Sequence, residues 1–366
     1  MTQLDFFPSR TLTLYLARLF VVRIFAVLVM LVLVLLMLDL LATSGDILAV
    51  PGNGQSQILF YASLRVPQLC ARFLPYSVLL ATILTLVTLN QNSEVVAMKA
   101  AGLSAHQVLA PLLLTALLVG GTSFAFNERV VTRANATLKG WEANKYGAIP
   151  KDSGVRTNVY VTDGTNILSA ATASGSDGAM ILTGVTWYQR APSGAIADQV
   201  RAASATYAAP GWRLTDARRF NVASAESSRY PSLVVGQKIT PDQIELVSVD
   251  ADSQPLWRLS DSIQDYQQAG RRTSELRATW WHKIAGPLSA VLMPLLGAVA
   301  AFGLARSGQV FVRAIIGMAL GFAYFVVDNA ALAMGNFGGY PPLLAAWAPF
   351  VLFLLIGETV LIRTEE

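Results

Sequence analysis

Charge is what this sequence has least of. Only 14 % of its 366 residues are Asp, Glu, Lys or Arg, against about 25 % in an average soluble domain. That is too little to cover a water-facing surface of this size. A single cysteine, Cys70, excludes a disulfide framework within one chain and any Cys-based zinc or iron–sulfur site. Two histidines, His106 and His282, stand far apart and leave no material for a hydrolytic triad. No G-x-x-x-x-G-K-[ST] run occurs, so the chain has no phosphate-cradling loop of its own for ATP. Neither H-E-x-x-H nor G-x-S-x-G is present. The absences point away from an enzyme, a metal centre or a bound cofactor. The net charge of +4 calls for no nucleic-acid partner.

What is abundant is apolar: 54 % of the residues. The charges are unevenly placed, with 32 of the 50 inside residues 128–277. A polar domain therefore interrupts a membrane domain. A spanning helix needs about 20 mostly apolar residues, and six stretches qualify: 19–41, 72–90, 106–126, 279–304, 310–334 and 342–362. Turn signals at 45–54, 307–308 and 338–342 separate them. Arg10, Arg18, Lys99, Arg306, Arg313 and Arg363 fall on one side, while the opposite short loops 44–56 and 335–341 hold no Lys or Arg. By the positive-inside rule both termini are cytoplasmic and the large insert faces outward. A cleaved signal peptide is the rival reading of the N-terminal span. With about 23 residues before the apolar run and no A-x-A site after Leu38, the span is expected to be retained.

The insert reads as short strands at 158–162, 167–171, 182–189, 199–208, 212–215 and 232–238. Turn chemistry lies between them at Asp163-Gly164, 174–178 and 192–194. Turns every 8–12 residues suggest a β-sandwich or jelly roll, with flanking helices at 130–146 and 256–269. The expected organisation is 1–128 for the first three spans, 129–277 for the β domain with its helical stalks, and 278–366 for the last three spans. The fold class is α+β: six transmembrane helices with a β-jelly-roll or sandwich domain inserted between the third and fourth. The domain is either a solvated cap, or an apolar trough or docking edge for another β domain. Asn135-Ala136-Thr137 matches a glycosylation sequon, a pattern frequent by chance.

Between spans two and three runs Ser93-Glu94-Val95-Val96-Ala97-Met98-Lys99-Ala100-Ala101-Gly102. Ser93 suits an N-cap, Glu94 the positive start of a helix and Gly102 its C-cap. The result is a short cytoplasmic helix over 92–102, with Val95, Val96 and Met98 available to a partner's groove. This stretch is similar to the S-E-x-x-x-x-x-A-x-G coupling helix of the LptF/LptG permease family, the membrane subunits of the lipopolysaccharide-export ABC transporter. Trp281-His282-Lys283-Ile284-Ala285-Gly286-Pro287-Leu288 resembles the family's W-x-K-x-x-x-P-L entry to span four. Tyr324-Phe325-Val326-Val327-Asp328-Asn329 adds a third match in span five. The span-four entry and Val66-Pro67 resemble the LptG branch more than the LptF branch.

The resemblance covers nearly the whole chain and implies an inner-membrane permease of a Gram-negative bacterium with a periplasmic domain. It implies partners: a paralogous LptF-like permease, a homodimeric LptB-like cytoplasmic ATPase that holds ATP and Mg, and a single-span LptC-like jelly-roll protein. Lipopolysaccharide is the implied substrate, passed to a periplasmic jelly-roll bridge. Carried over residue by residue, Ser93, Glu94, Val95, Met98, Lys99 and Gly102 form the ATPase-coupling segment, with Glu94 pairing an ATPase arginine. Arg65, Arg72, Arg133 and Lys139 are candidates for lipid phosphates, because guanidinium forks suit phosphate. Phe25, Met30, Phe322 and Phe325 are candidates to line an acyl-chain cavity. Asp39 and Asp328 are acids within or beside spans, expected to pair with a base such as Lys283. His106 and His282 are read as structural.

This chain departs from the family at the outer end of span one, where lysines are common. It reads Leu38-Asp39-Leu40-Leu41-Ala42-Thr43, so either Arg65 and Arg72 supply the charge or the headgroup bound is less anionic. Two rival functions remain: a membrane-anchored periplasmic scaffold without transport, and a secondary transporter. The latter would need broken spans and mid-membrane polar sites, which spans one and three do not offer.

Overall fold

The computed structural model describes residues 8–147, 156–163, 165–175, 180–191, 194–241, 244, 250–268, 272–298 and 310–365. Two long helices open the chain, α1 (Arg10–Leu48) and α2 (Gln55–Gln91), followed by the short α3 (Glu94–Ala100) and by α4 (Ala105–Phe126). A π-turn at Asn127–Val131 joins α4 to α5 (Thr132–Ala143). Six strands come next: β1 (Arg156–Thr162), β2 (Ile167–Ser174), β3 (Ile181–Arg190), β4 (Ile196–Ala208), β5 (Gly211–Asn221) and β6 (Ser227–Val235). Helices α6 (Leu256–Gln268), α7 (Ser274–Ala298), α8 (Val310–Asn336) and α9 (Pro342–Glu365) close the chain.

Five helical stretches among the described residues are long and apolar enough to cross a membrane: Arg10–Leu48, Gln55–Gln91, Ala105–Ala143, Ile315–Asn336 and Pro342–Arg363. Helix α7 follows the expected fourth span up to Ala298. The rest of that span and the turn at 307–308 lie outside the described residues. The first hairpin differs from the sequence reading. Helix α1 runs through Gly45, and α2 begins at Gln55 and carries Pro67 and Pro75 inside it. Arg65 and Arg72 thus lie within a helix, where internal prolines are tolerated as in other membrane helices.

The chain divides into two compact units, Met1–Asp39 with Val66–Val131 and Arg271–Glu366, and Leu40–Arg65 with Thr132–Gly270. The first is helical. Its core gathers Phe20 and Ile24 of α1, Val78 and Leu86 of α2, Leu109 and Leu112 of α4, Leu292 and Leu296 of α7, Phe325 of α8 and Phe353 of α9. Small residues set the spacing, as expected where lipid removes the usual hydrophobic drive between helices. A Cβ on Gly120 would stand 2.7 Å from the Pro287 carbonyl oxygen, and one on Gly297 2.7 Å from the Thr82 methyl.

In the second unit, the ends of α1 and α2 pack on α5 through Ile47, Tyr61, Leu138 and Trp141. The Asn53 amide fastens the turn by donating to the carbonyls of Ile47 (3.0 Å) and Tyr146 (2.8 Å). All six expected strands are present, but they form one antiparallel sheet in plain sequence order. The fold class is α+β, as the sequence implied: membrane-length apolar helices with a six-stranded antiparallel sheet inserted among them.

The single sheet still encloses a core, because its buried face changes parity. Along β3 the buried positions are Leu182, then Val185 and Trp187; along β4 Val200 and Ala202, then Ala205; along β5 Leu214, then Ala217. Leu182 faces Ala205, which faces Leu214, while Val185 faces Ala202. The switch therefore crosses the strands in register, as a row of matched bulge-like bends. Gly184 (φ +63°) and Asp216 (φ 55°) sit on that row, residue types that tolerate positive φ. Trp212 plugs the core, its indole N–H donating to the Ile239 carbonyl at 3.0 Å.

Candidate functional site

Helix α3 is only seven residues long, too short to be stable by itself in water. Its C-terminal corner is well made. The Leu103 N–H donates to the Met98 carbonyl at 3.1 Å and the Gly102 N–H to the Lys99 carbonyl at 2.9 Å, the paired bonds of a Schellman turn. Gly102 stands at φ +87°, where a side chain would be strained. Ser104 then opens α4 with a reciprocal capping box to Gln107. The N-terminal expectation is corrected: Ser93 is left-handed (φ 60°) and its side chain makes no cap bond. The Glu94 carboxylate is instead met from elsewhere, accepting from the Tyr15 hydroxyl of α1 at 3.2 Å and from the Asn92 amide at 3.4 Å.

Two of the three apolar side chains expected to meet a partner are turned inward. Val95 and Met98, 5 % and 8 % exposed, belong to the helical unit's own core. Standing three positions apart on the helix, they lie on one face. Val96, 56 % exposed, is the apolar group α3 offers outward, beside the exposed Lys99 and the half-buried Glu94. In the same unit, Arg23 donates to the Leu84 carbonyl of α2 at 2.8 Å. His106 of α4 pairs with Glu358 of α9 at 3.3 Å.

The other sequence-derived candidates separate into groups. Arg72 and Arg133 are exposed and Arg65 is half-buried. Lys139 is engaged: its ammonium lies 2.6 Å from Asp250, which also accepts from the Ser253 hydroxyl. Burial pushes the Asp250 carboxyl up, and those bonds outweigh it, holding the group below the ordinary carboxylate range. Lys139 is thus held by Asp250 in this structure, with its side chain 40 % exposed.

Phe25, Met30 and Phe322 are exposed, in keeping with a surface that lipid covers. Phe325 is not. It is 8 % exposed and stacked on Tyr76 at 3.7 Å, a core residue rather than a cavity wall. Asn135 of the sequon is buried and so is no acceptor for a sugar.

The expected pairing of Asp328 with Lys283 is also corrected. Lys283 faces Glu128 of the π-turn at 3.6 Å, with both side chains under a tenth exposed. Asp328 pairs with the neighbouring His282 at 3.0 Å. Adjacent positions on α7 thereby tie it to α4 and to α8. An apolar groove of about 220 Å³ opens between α4 and α7, lined by Leu117, Gly120, Phe124, Pro287, Leu288 and Val291. Among the described residues, no group of three or more His, Cys, Asp or Glu side chains is arranged to hold a metal ion.

With this geometry in place, comparison with known proteins is decisive for the family. The family model described as "Lipopolysaccharide export system permease LptF/LptG" matches residues 14–363. This chain belongs to that family. It is similar to the lipopolysaccharide export system permease protein LptG of Escherichia coli K12, 26 % identical over 333 residues that cover 87 % of this chain and 89 % of that protein. It is likewise similar to LptG of Haemophilus influenzae, 24 % identical over 323 residues, 85 % of this chain and 87 % of the relative.

For an LptF/LptG permease, three residues prominent here escaped the sequence reading. Arg23 lies inside the first expected span, and a charge in that position is itself the usual signal of function. Glu128 ends the third span, and a buried acid was needed once Lys283 entered the fourth. Tyr15 carried no signal, because only folding brings it to Glu94, 79 residues away.

Proposed function

We propose that this permease works in the inner membrane as the non-catalytic transport subunit of a lipopolysaccharide exporter driven by a separate ATPase. In this reading a homodimeric LptB-like ATPase holds ATP and Mg, and this chain binds no cofactor. It stands opposite a paralogous LptF-like permease and beside a single-span LptC-like jelly-roll protein. Lipopolysaccharide leaves the outer leaflet between the two permeases and passes to a periplasmic jelly-roll bridge. Both termini are cytoplasmic and the sheet-bearing unit is periplasmic.

One observation supports the coupling reading above the rest: α3, a helix too short to stand alone, leaves Glu94, Val96 and Lys99 accessible while Val95 and Met98 anchor it. A carboxylate offers about four lone-pair sites. Tyr15 and Asn92 occupy part of Glu94 and leave room for a guanidinium fork from the ATPase. Arg65, Arg72 and Arg133 are proposed to meet lipid phosphates, and Phe25, Met30 and Phe322 to meet acyl chains.

The test is Glu94→Ala in the complete complex, reconstituted in lipid nanodiscs. ATP-driven release of lipopolysaccharide should fall about tenfold or more, in line with the loss of one hydrogen-bonded charge contact of about 1.5–3 kcal/mol. Membrane insertion should be unchanged. Normal release with normal ATPase binding would exclude coupling through this helix and favour a scaffold that does not transport.

A further inference from the structure

Helix α3 is joined to its sequence neighbours by tight turns, and it also has a polar attachment to α1. The Tyr15 hydroxyl donates to Glu94 Oε2 at 3.2 Å and lies 3.4 Å from Oε1. Two turns further along α1, the Arg23 guanidinium lies within electrostatic reach of both Tyr15 and Glu94. Its Nη1 donates to the Leu84 carbonyl of α2 at 2.8 Å, an oxygen that also accepts from the Thr88 hydroxyl at 2.7 Å. Two separate polar contacts thus tie α1 to its neighbours, Tyr15 to α3 and Arg23 to α2, beside the core residues Leu16, Phe20, Ile24 and Leu86.

Tyr15 is 45 % exposed, so its hydroxyl could be satisfied by water, and the bond to Glu94 matters for the geometry it fixes rather than for burial. Glu94 would keep its place in α3 without Tyr15, because Val95 and Met98 already anchor that helix. What Tyr15 adds is a link between α3 and α1, the helix whose exposed side carries Phe25 and Met30.

We infer that Tyr15 is a positioning residue that transmits displacement of the Glu94 helix directly to α1, with Arg23 extending the link to α2. The inference rests on the reading of Glu94 as the contact with the ATPase. When that contact moves α3, the rigid phenol carries the shift into α1 without waiting for α2 and α4 to follow. The lipid-facing part of α1 then responds in the same stroke.

The experiment uses the complete complex in nanodiscs, in a Cys70→Ser background. Spin labels at Leu14→Cys on α1 and Ala100→Cys on α3, both exposed positions, report the distance between the helices before and after vanadate trapping. Tyr15→Phe keeps the ring and removes only the hydroxyl. Assembly and ATP hydrolysis should stay near the wild-type level. Lipopolysaccharide released per ATP should fall roughly three- to tenfold, the range for loss of one ordinary, solvent-exposed hydrogen bond. The label distance, narrow and unchanged by trapping in the wild type, should broaden.

Wild-type release per ATP with a narrow distance in Tyr15→Phe would overturn the inference and leave Tyr15 an ordinary interfacial tyrosine. Failure of Tyr15→Phe to assemble would overturn it too, as a purely structural role. Glu94→Ala, run beside it, separates the two readings. If Glu94→Ala uncouples and Tyr15→Phe does not, the link fails while the coupling reading stands. If neither variant uncouples, the coupling reading itself falls.

Discussion

The two units handle scarce charge in opposite ways. In the helical unit, Glu128 of the π-turn and Lys283 of α7 are both under a tenth exposed and face each other, while His282 and Asp328 pair between α7 and α8. In the sheet itself, two described ionic contacts sit at an edge and at an end. Arg229 meets Asp216 on the exposed outer face, and Asp198 closes one end of the core with Arg219 and Asn221. Buried pairs are expensive to desolvate and dangerous to break; exposed ones contribute little. The difference teaches that charge holds helices together in one unit and trims a core built from side-chain alternation in the other.

Breaking the helical pair should have the largest effect. Lys283→Ala removes the cation that faces the buried Glu128 carboxylate, a loss of up to about 3–5 kcal/mol by analogy with other broken buried pairs, visible as a sharp drop in the melting temperature of the detergent-solubilised protein. Lys283→Met combined with Glu128→Gln should recover most of it, and failure of the double variant to recover would mean the charges do more than hold the helices.

An intermediate effect is expected at Asp198. The Arg219 bond holds its carboxyl below the ordinary range, outweighing burial. A depressed folded-state value means that its stabilisation is present above the unfolded value, near pH 3.9, and fades as pH falls through the folded one. Asp198→Asn should lower stability near neutrality by about 1.5–3 kcal/mol and little at pH 2, so melts of both proteins across that range should converge. Parallel curves would break the assignment. At the small end, Arg229→Ala on the open face should leave the melting temperature within experimental scatter. A clear drop there would erase the contrast between the units.

The hydropathy pattern made the helices legible, because spans are long and their signal sums over some 20 residues. The strands were legible from turn residues such as Asp163 and Gly194. Strand order was not, since alternation alone does not distinguish one bent sheet from two stacked ones. The bend depends on Gly184 and Asp216, which look like ordinary turn formers. At the site, Gly102 and Glu94 could be read from local rules that need only their neighbours. Val95 and Met98 could not, because which face of a seven-residue helix turns inward is decided by helices distant in sequence. The partners of Lys139, Phe325 and Asp328 were out of reach for the same reason: Asp250, Tyr76 and His282 stand 111, 249 and 46 positions away.

The in-register switch of buried parity has a consequence for how such a domain can change over generations. Removing or adding one residue on β3, β4 or β5 would move the bend of that strand out of line with its neighbours and turn half of its core side chains to water. Length variation is therefore confined to the connections, such as residues 191–195 and 222–226, whereas the strands themselves can drift only by substitution. Among relatives of this chain, gaps in an alignment should collect in those connections and avoid the columns that hold Leu182, Ala205 and Leu214.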